Sequence, residues 1–267
     1  REWYLSQAQF QARLVRTVDE IIDLLDADNS FNTFVLDGQT SVVEDYLELR
    51  PERRDDMRRL IAEGKVIIGP WFTMPDTFLP DGEALIRNLQ RGYEDCSAFD
   101  APYPNVGYVP DSFGHIEQLP QILNGVGIDT FVFSRGRPIS MSHSEQKREF
   151  VWKAPDGTAV YAWQLPAGYL AGAFLPNPRD VEALRDKIRG IIEAHQQSHV
   201  PNVIVVPHGV DHCWLQRDIC DILDALPDLM PEAAMHHGSL EAALDEWRKL
   251  CPDDEMESYR GQLRGRL

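Results

Sequence analysis

Short apolar runs rich in β-branched and aromatic residues recur along this chain, and each is followed by a stretch whose apolar residues fall three or four apart. That alternation constrains the fold more than any other feature, because strand–helix repeats bury a parallel sheet beneath outer helices. Strands are expected at 31–36, 65–71, 106–110, 129–135 and 202–206, the last carrying Val203-Ile204-Val205-Val206. Helices are expected at 42–62, from an N-cap at Asp81 to Phe99, and at 116–126, 180–197, 215–226 and 240–250. Residues 149–164 break the rhythm, since two β-rich halves flank Pro155-Asp156-Gly157, a hairpin-turn signature. Neither an internal repeat nor a linker interrupts the 267 residues. A single α/β domain over residues 1–267 is therefore expected, its sheet open or closed into a barrel.

Charge narrows the choice of partner. Lys and Arg number 26 against 43 Asp and Glu, for a net charge of −17. A surface that acidic repels phosphate backbones, which argues against a nucleic-acid partner but not against a neutral, hydroxyl-rich one. No apolar run approaches the roughly 20 residues that cross a bilayer, so no membrane partner is expected. The four cysteines, at 96, 213, 220 and 251, form no CxxC pair, and Cys213 and Cys220 match no zinc-finger spacing. Thiols scattered in this way point to a reducing, cytoplasmic setting. The chain opens on Arg1 rather than Met and reads as a piece of a longer protein. Homo-oligomerisation is compatible with everything above.

In α/β sheets, reactive groups gather where loops leave the carboxyl ends of strands. Those ends here deliver Asp37-Gly38-Gln39, the stretch from Trp71 to Asp76, the stretch from Asp111 to His115, Arg135, and His208-Gly209-Val210-Asp211-His212. Asp111 reads equally as a cap for the following helix and as a nucleophile or metal ligand. Asp211 is either an ordinary turn residue or a second strand-end acid, flanked by two histidines. His115 is a support for Asp111 or a loop histidine. Two carboxylates on one rim suit glycoside hydrolysis, in which one acid protonates the leaving oxygen and the other attacks or activates water. Trp3, Trp71, Phe113 and Tyr169 are candidate ring platforms for a sugar, though each also reads as core.

Arg1-Glu2-Trp3-Tyr4, the segment from Tyr108 to His115, and His208-Gly209-Val210-Asp211 together resemble glycoside hydrolase family 38, the zinc-dependent α-mannosidases. Gly69-Pro70-Trp71-Phe72-Thr73-Met74-Pro75-Asp76 and Phe133-Ser134-Arg135 resemble further blocks of that family, in the same order along the chain. The resemblance implies a seven-stranded-type parallel β/α barrel-like domain, of the glycoside hydrolase and deacetylase kind, with the β-hairpin as a small insertion. It implies a retaining hydrolase that cleaves terminal α-mannosyl residues from a mannosylated oligosaccharide or glycoside in the cytoplasm. Asp111 matches the nucleophile, which is also a zinc ligand, and Asp211 matches the acid/base. Trp3 and Phe113 match aromatic walls of the sugar subsite, Arg135 a supporting arginine, and Tyr169 a subsite tyrosine.

The departures are specific. The family's His-x-His-Trp-Asp block, which supplies a zinc-binding histidine and aspartate, would precede Arg1, and its last zinc ligand would follow Leu267. Gln262 stands where a family segment usually carries Glu. Asp111 is thus the one zinc ligand expected within residues 1–267, where a closed site needs three or more. Two rival readings remain: a metal-dependent polysaccharide deacetylase, and a carbohydrate-binding domain without catalysis. The deacetylase would need a His-x-x-x-His pair, and His208 and His212 have that spacing at a strand end rather than on a helix.

Overall fold

A computed structural model describes residues 5–27, 29–141, 147–251 and 255–265. Helix α1 (Gln7–Asp26) starts at Ser6, whose side chain accepts from the Gln9 backbone while the Gln9 side chain reaches back, a reciprocal cap. Strands β1 (Phe34–Val35) and β2 (Val66–Ile67) pair in parallel. The expected helix at 42–62 is divided into α2 (Ser41–Leu49), a single 3-10 turn at Pro51–Arg53, and α3 (Arg54–Ala62). Pro51 explains the break, since it offers no backbone N–H and pushes Arg50 out of helical geometry. Helix α4 (Gly82–Ala98) is capped by Asp81 as anticipated.

The larger sheet combines β3 (Val106–Val109), β4 (Thr130–Phe133), β5 (Glu149–Lys153), β6 (Ala159–Gln164) and β7 (Ser258–Arg260) in the order β3-β4-β6-β5-β7. Four helices accompany it: α5 (Leu119–Asn124), α6 (Val181–His195), α7 (Ile219–Leu229) and α8 (Leu240–Leu250). The mixed α/β fold with parallel strand pairs is as expected, while a closed seven-stranded barrel is not seen among the described residues, and three features differ from it. Among the described residues the strands lie in separate sheets of two and five rather than in one closed ring. The β5–β6 hairpin is no peripheral insertion, because β6 pairs in parallel with β4 and in antiparallel fashion with β5 near the middle of the sheet. Its residues supply both faces: Phe150, Trp152, Val160 and Ala162 join one core cluster, and Trp163 joins another.

The third departure is the segment 202–206, which forms no strand. Val203, Ile204, Val205 and Val206 are half-buried and pack into three different apolar clusters. Apolar β-branched residues fit an extended chain, but a strand also needs a free edge to pair with. Conversely, β7 arises where no strand was expected, paired in parallel with β5.

Close backbone approaches bring the loops after β3 and β4 together. A side chain at Gly114 (φ 114°) would lie 2.5 Å from the Leu263 carbonyl, and one at Gly136 would lie 2.9 Å from the Gly114 Cα. Only glycine fits at either position. His115 and Leu263 exchange backbone hydrogen bonds of 2.7 and 2.8 Å, fastening the 261–264 segment beneath the loop that begins with Asp111.

Candidate active site

Asp111 leaves the carboxyl end of β3, Arg135 follows β4, Tyr169 lies in the loop after β6, and Asp211 follows the extended segment. The four side chains are brought together. Asp111 Oδ1 accepts from Arg135 Nε at 2.7 Å and from the Tyr169 hydroxyl at 2.8 Å. The same hydroxyl lies 3.1 Å from Asp211 Oδ2. The two carboxylate oxygens therefore cannot be farther apart than those contacts laid end to end, a ceiling of about 5.9 Å. Retaining glycosidases place their carboxyl groups about 5–5.5 Å apart and inverting ones about 6.5–9.5 Å apart; the ceiling, which bounds only one oxygen of each acid, is compatible with the shorter spacing.

A phenol has one hydrogen, so Tyr169 donates to only one of the two acids at a time. If it donates to Asp111, a protonated Asp211 completes the chain by donating to the phenolic oxygen. Burial, followed by the hydrogen bond to Asp111, pushes the Tyr169 hydroxyl above its ordinary pKa, so it stays a donor at neutral pH. Contact with Tyr169 and Asp111 likewise holds the Arg135 guanidinium more firmly protonated. Arg135 also lies over the ring of Phe113 at 5.7 Å, and Phe113 itself is 56% exposed. An open aromatic face beside two carboxylates is a surface a sugar ring can use.

Asp37, one of the strand-end acids of the rim, carries the charges of Asp111 and Asp211 close by, although no specific role is assigned to it from the sequence. It follows β1 in the left-handed region (φ 47°), with open surface but protein on most sides. Its carboxyl is raised to about 7 by that enclosure and by the charges of Asp211 and Asp111, against a lowering contact from Gln39. In the sequence Asp37-Gly38 reads as a turn; the pertinent signal was its place directly after the first strand. Tyr108 is pushed up by burial and by the same acids, Asp37 foremost.

Trp71 and His115, also expected at the rim, lie buried instead. Trp71 is fully buried in the core cluster with Val109, Phe131 and Phe133. His115 is also fully buried, edge-on to Phe131 and Phe133 with ring centroids 4.8 and 5.6 Å away, so it lies under the rim and not on it. Burial pushes its imidazole down to about 3. His208 contacts Gln216 Oε1 at 3.2 Å, and His212 adopts φ 67°. Trp3 lies outside the described residues.

Among the described residues no group of three or more His, Cys, Asp and Glu side chains could hold a metal ion. These residues by themselves do not fit a zinc site: Asp111 is a single carboxylate, and its Oδ1 already serves Arg135 and Tyr169. No described helix is long and apolar enough to cross a membrane.

The sequence matches the Glycosyl hydrolases family 38 N-terminal domain over residues 1–249. It is 32% identical to a putative mannosylglycerate hydrolase from Halalkalibacterium halodurans, across 99% of this chain and 30% of that protein. Its fold superposes on an α-mannosidase from Enterococcus faecalis V583 with a TM-score of 0.89 at 30% identity, over 98% of this chain and 29% of that one. A putative polysaccharide deacetylase from Mycobacterium smegmatis is similar in fold alone, with a TM-score of 0.52 at 14% identity, over 91% of this chain and 82% of that one. The chain thus spans about 30% of the length of the relatives it matches best in coverage.

Proposed function

The chain belongs to glycoside hydrolase family 38, and from that premise we propose that it carries the catalytic carboxylates of a retaining hydrolase for α-mannosides. The observation that supports this reading is the Tyr169 hydroxyl shared by Asp111 and Asp211, which keeps their oxygens within about 5.9 Å. Asp111, held by Arg135 and Tyr169, is the nucleophile. It attacks the anomeric carbon while Asp211 gives its proton to the departing glycosidic oxygen. Asp211 then takes a proton from water, which displaces Asp111 from the covalent intermediate. Phe113 flanks the sugar, and Tyr169 and Arg135 keep the attacking oxygen in place. Asp111 would supply one carboxylate to a zinc ion, which would need further ligands beyond the described residues.

The substrate is a mannoside with a small aglycone. An alignment at 32% identity spans 99% of this chain against the mannosylglycerate hydrolase relative, whereas the match to Mus musculus alpha-mannosidase 2C1 spans 34% of it. The test is hydrolysis of mannosylglycerate and nitrophenyl glycosides by the complete zinc-supplemented enzyme, followed by proton NMR. α-Mannose appearing before mutarotation is the expected result. An initial β-anomer would assign an inverting route and remove Asp111 from the nucleophile's role.

A further inference from the structure

Asp111, Arg135 and Tyr169 follow three different strands, yet the residues directly before them converge on Ser134. Ser134 itself precedes Arg135, and it comes directly after Phe133, the last paired residue of β4. Its backbone N–H donates to the carbonyl of Pro110, the residue before Asp111, at 3.2 Å. A Cβ built on Gly168, the residue before Tyr169, would lie 3.7 Å from the Ser134 hydroxyl oxygen, in van der Waals contact. Arg135 and Tyr169 both donate to Asp111 Oδ1. The backbone around Ser134 therefore sets how those two donors approach the acid.

One side chain holds the Ser134 carbonyl. Gln164, the last residue of β6, donates to it from Nε2 at 2.9 Å. Gln164 lies opposite Phe133 in the ladder, and the next backbone N–H, that of Leu165, donates to the Phe133 carbonyl at 2.8 Å. An amide can turn either end to a partner, but here two guanidiniums settle the matter. Arg148 Nη1 at 3.0 Å and Arg137 Nη1 at 3.3 Å both donate to Gln164 Oε1. A guanidinium offers donors alone, so Oε1 must face the arginines and the amide nitrogen must face Ser134. Arg137 is buried and is itself fastened to the carbonyls of Met141 and Lys147. Burial, followed by the charge of Arg148, pushes Arg137 down to about 10, so it remains a cation at neutral pH.

We propose that Gln164 is a positioning residue for the nucleophile: its amide fixes the Ser134 carbonyl, and through that peptide the aim of Arg135 at Asp111. The inference rests on the reading of Asp111 as nucleophile. The line of contact is continuous, from Gln164 Nε2 to the Ser134 carbonyl, across one peptide bond to Arg135, and from Arg135 Nε to Asp111 Oδ1 at 2.7 Å. The Ser134 carbonyl and the Arg135 nitrogen share one rigid plane, so a turn of the first carries the second with it. Small displacements around a reacting atom cost rate steeply.

Gln164→Glu isolates the donor in the complete enzyme. Glutamate keeps an acceptor for Arg137 and Arg148, and beside two cations it stays ionised, so it turns an acceptor toward the Ser134 carbonyl. The probe is 5-fluoro-α-mannosyl fluoride, which leaves a slowly hydrolysed glycosyl-enzyme. The amplitude of its fluoride burst counts active sites, and the rate constant reports the nucleophile's attack. Gln164→Glu is expected to keep the full amplitude while the rate constant falls on the order of 10²-fold. Added to Arg135→Ala, the same substitution should change the rate constant by no more than about twofold, because no guanidinium is left to aim. A role confined to packing would cost the same factor in both backgrounds, or would lower the amplitude.

Equal factors in the two backgrounds, an unchanged rate constant, or a loss of amplitude alone would overturn the proposal. If Gln164→Glu does not fold, Gln164→Met, which keeps the bulk and removes the amide, enters the same cycle, and equal factors there overturn the proposal too. Peptide mapping of the trapped adduct keeps the two readings apart. An adduct on a residue other than Asp111 sinks the nucleophile reading; an adduct on Asp111 with equal factors in both backgrounds sinks the positioning inference alone.

Discussion

One hydroxyl bridges the two acids, so Tyr169→Phe removes a donor to Asp111 and a partner of Asp211 together. Loss of a single preorganised donor costs on the order of 10²-fold in rate, and kcat of the complete enzyme should fall by about that much with KM little changed. Steady-state kinetics check this; a change confined to KM would demote Tyr169 to a substrate contact. Beneath the rim, His115 gives a stability prediction. Its imidazole is pushed down to about 3 in the folded protein, against an ordinary value of 6.5 that the unfolded chain regains. Between those values the unfolded state holds more protons, so stability rises with pH there. The contribution is complete above pH 6.5 and is lost as pH falls, by about 1.4 kcal/mol per unit. His115→Leu should therefore narrow the drop in stability between pH 7 and pH 5 by about 2 kcal/mol, read from urea midpoints. The residue scale also shows where reading the sequence stopped short. Asp111, Asp211, Arg135 and Phe113 could be picked out because each follows an apolar run or sits in a family block. Asp37 was legible only as one strand-end acid among several, because a carboxylate before glycine also has the chemistry of a turn; the charges of Asp111 and Asp211 around it come from the fold.

Helix α4 illustrates how a single element is seated. Gly92 faces the backbone at 70–71, where an added Cβ would lie 2.1 Å from the Pro70 carbonyl oxygen. Gly190 in α6 has nothing within 4 Å of its Cβ position. Gly92→Ala should consequently destabilise the protein by about 1–3 kcal/mol through overpacking. Gly190→Ala should stabilise it by about 0.5–1 kcal/mol through lower entropy in the unfolded chain and better helix propensity. Thermal melts of the two variants decide the matter, and shifts in the same direction would contradict the packing. At this scale periodicity located most helices, with Leu240–Leu250 found at its expected limits and Asp81 capping as expected. It failed at 202–206 because side-chain pattern records burial, and burial does not supply a neighbouring strand. The hairpin was recognised from its turn, but its central place in the sheet depends on β4 pairing with β6, which no local signal encodes.

On the scale of the whole molecule, the proposed zinc requirement extends beyond the described residues. A protein of residues 1–267 alone is expected to retain no stoichiometric zinc by metal analysis, since Asp111 is the single ligand assigned within it. The complete enzyme should lose hydrolysis to a chelator and recover it with zinc; stoichiometric zinc on the shorter chain, bound through Asp111, would contradict the assignment. What the sequence determined by itself was local and periodic: an α/β alternation, its turns and caps, and strand-end acids set in family blocks. These follow from backbone geometry, in which a strand repeats every two residues and a helix every 3.6, so a short window suffices to read them. The tertiary structure alone decided that β6 pairs with β4 in parallel as well as with β5 in antiparallel fashion. It alone set Tyr169 between Asp111 and Asp211, which are 58 and 42 residues away along the chain. Contacts over such separations depend on how loops close and which edges remain free, and those are properties of the packed molecule, which no window of sequence contains.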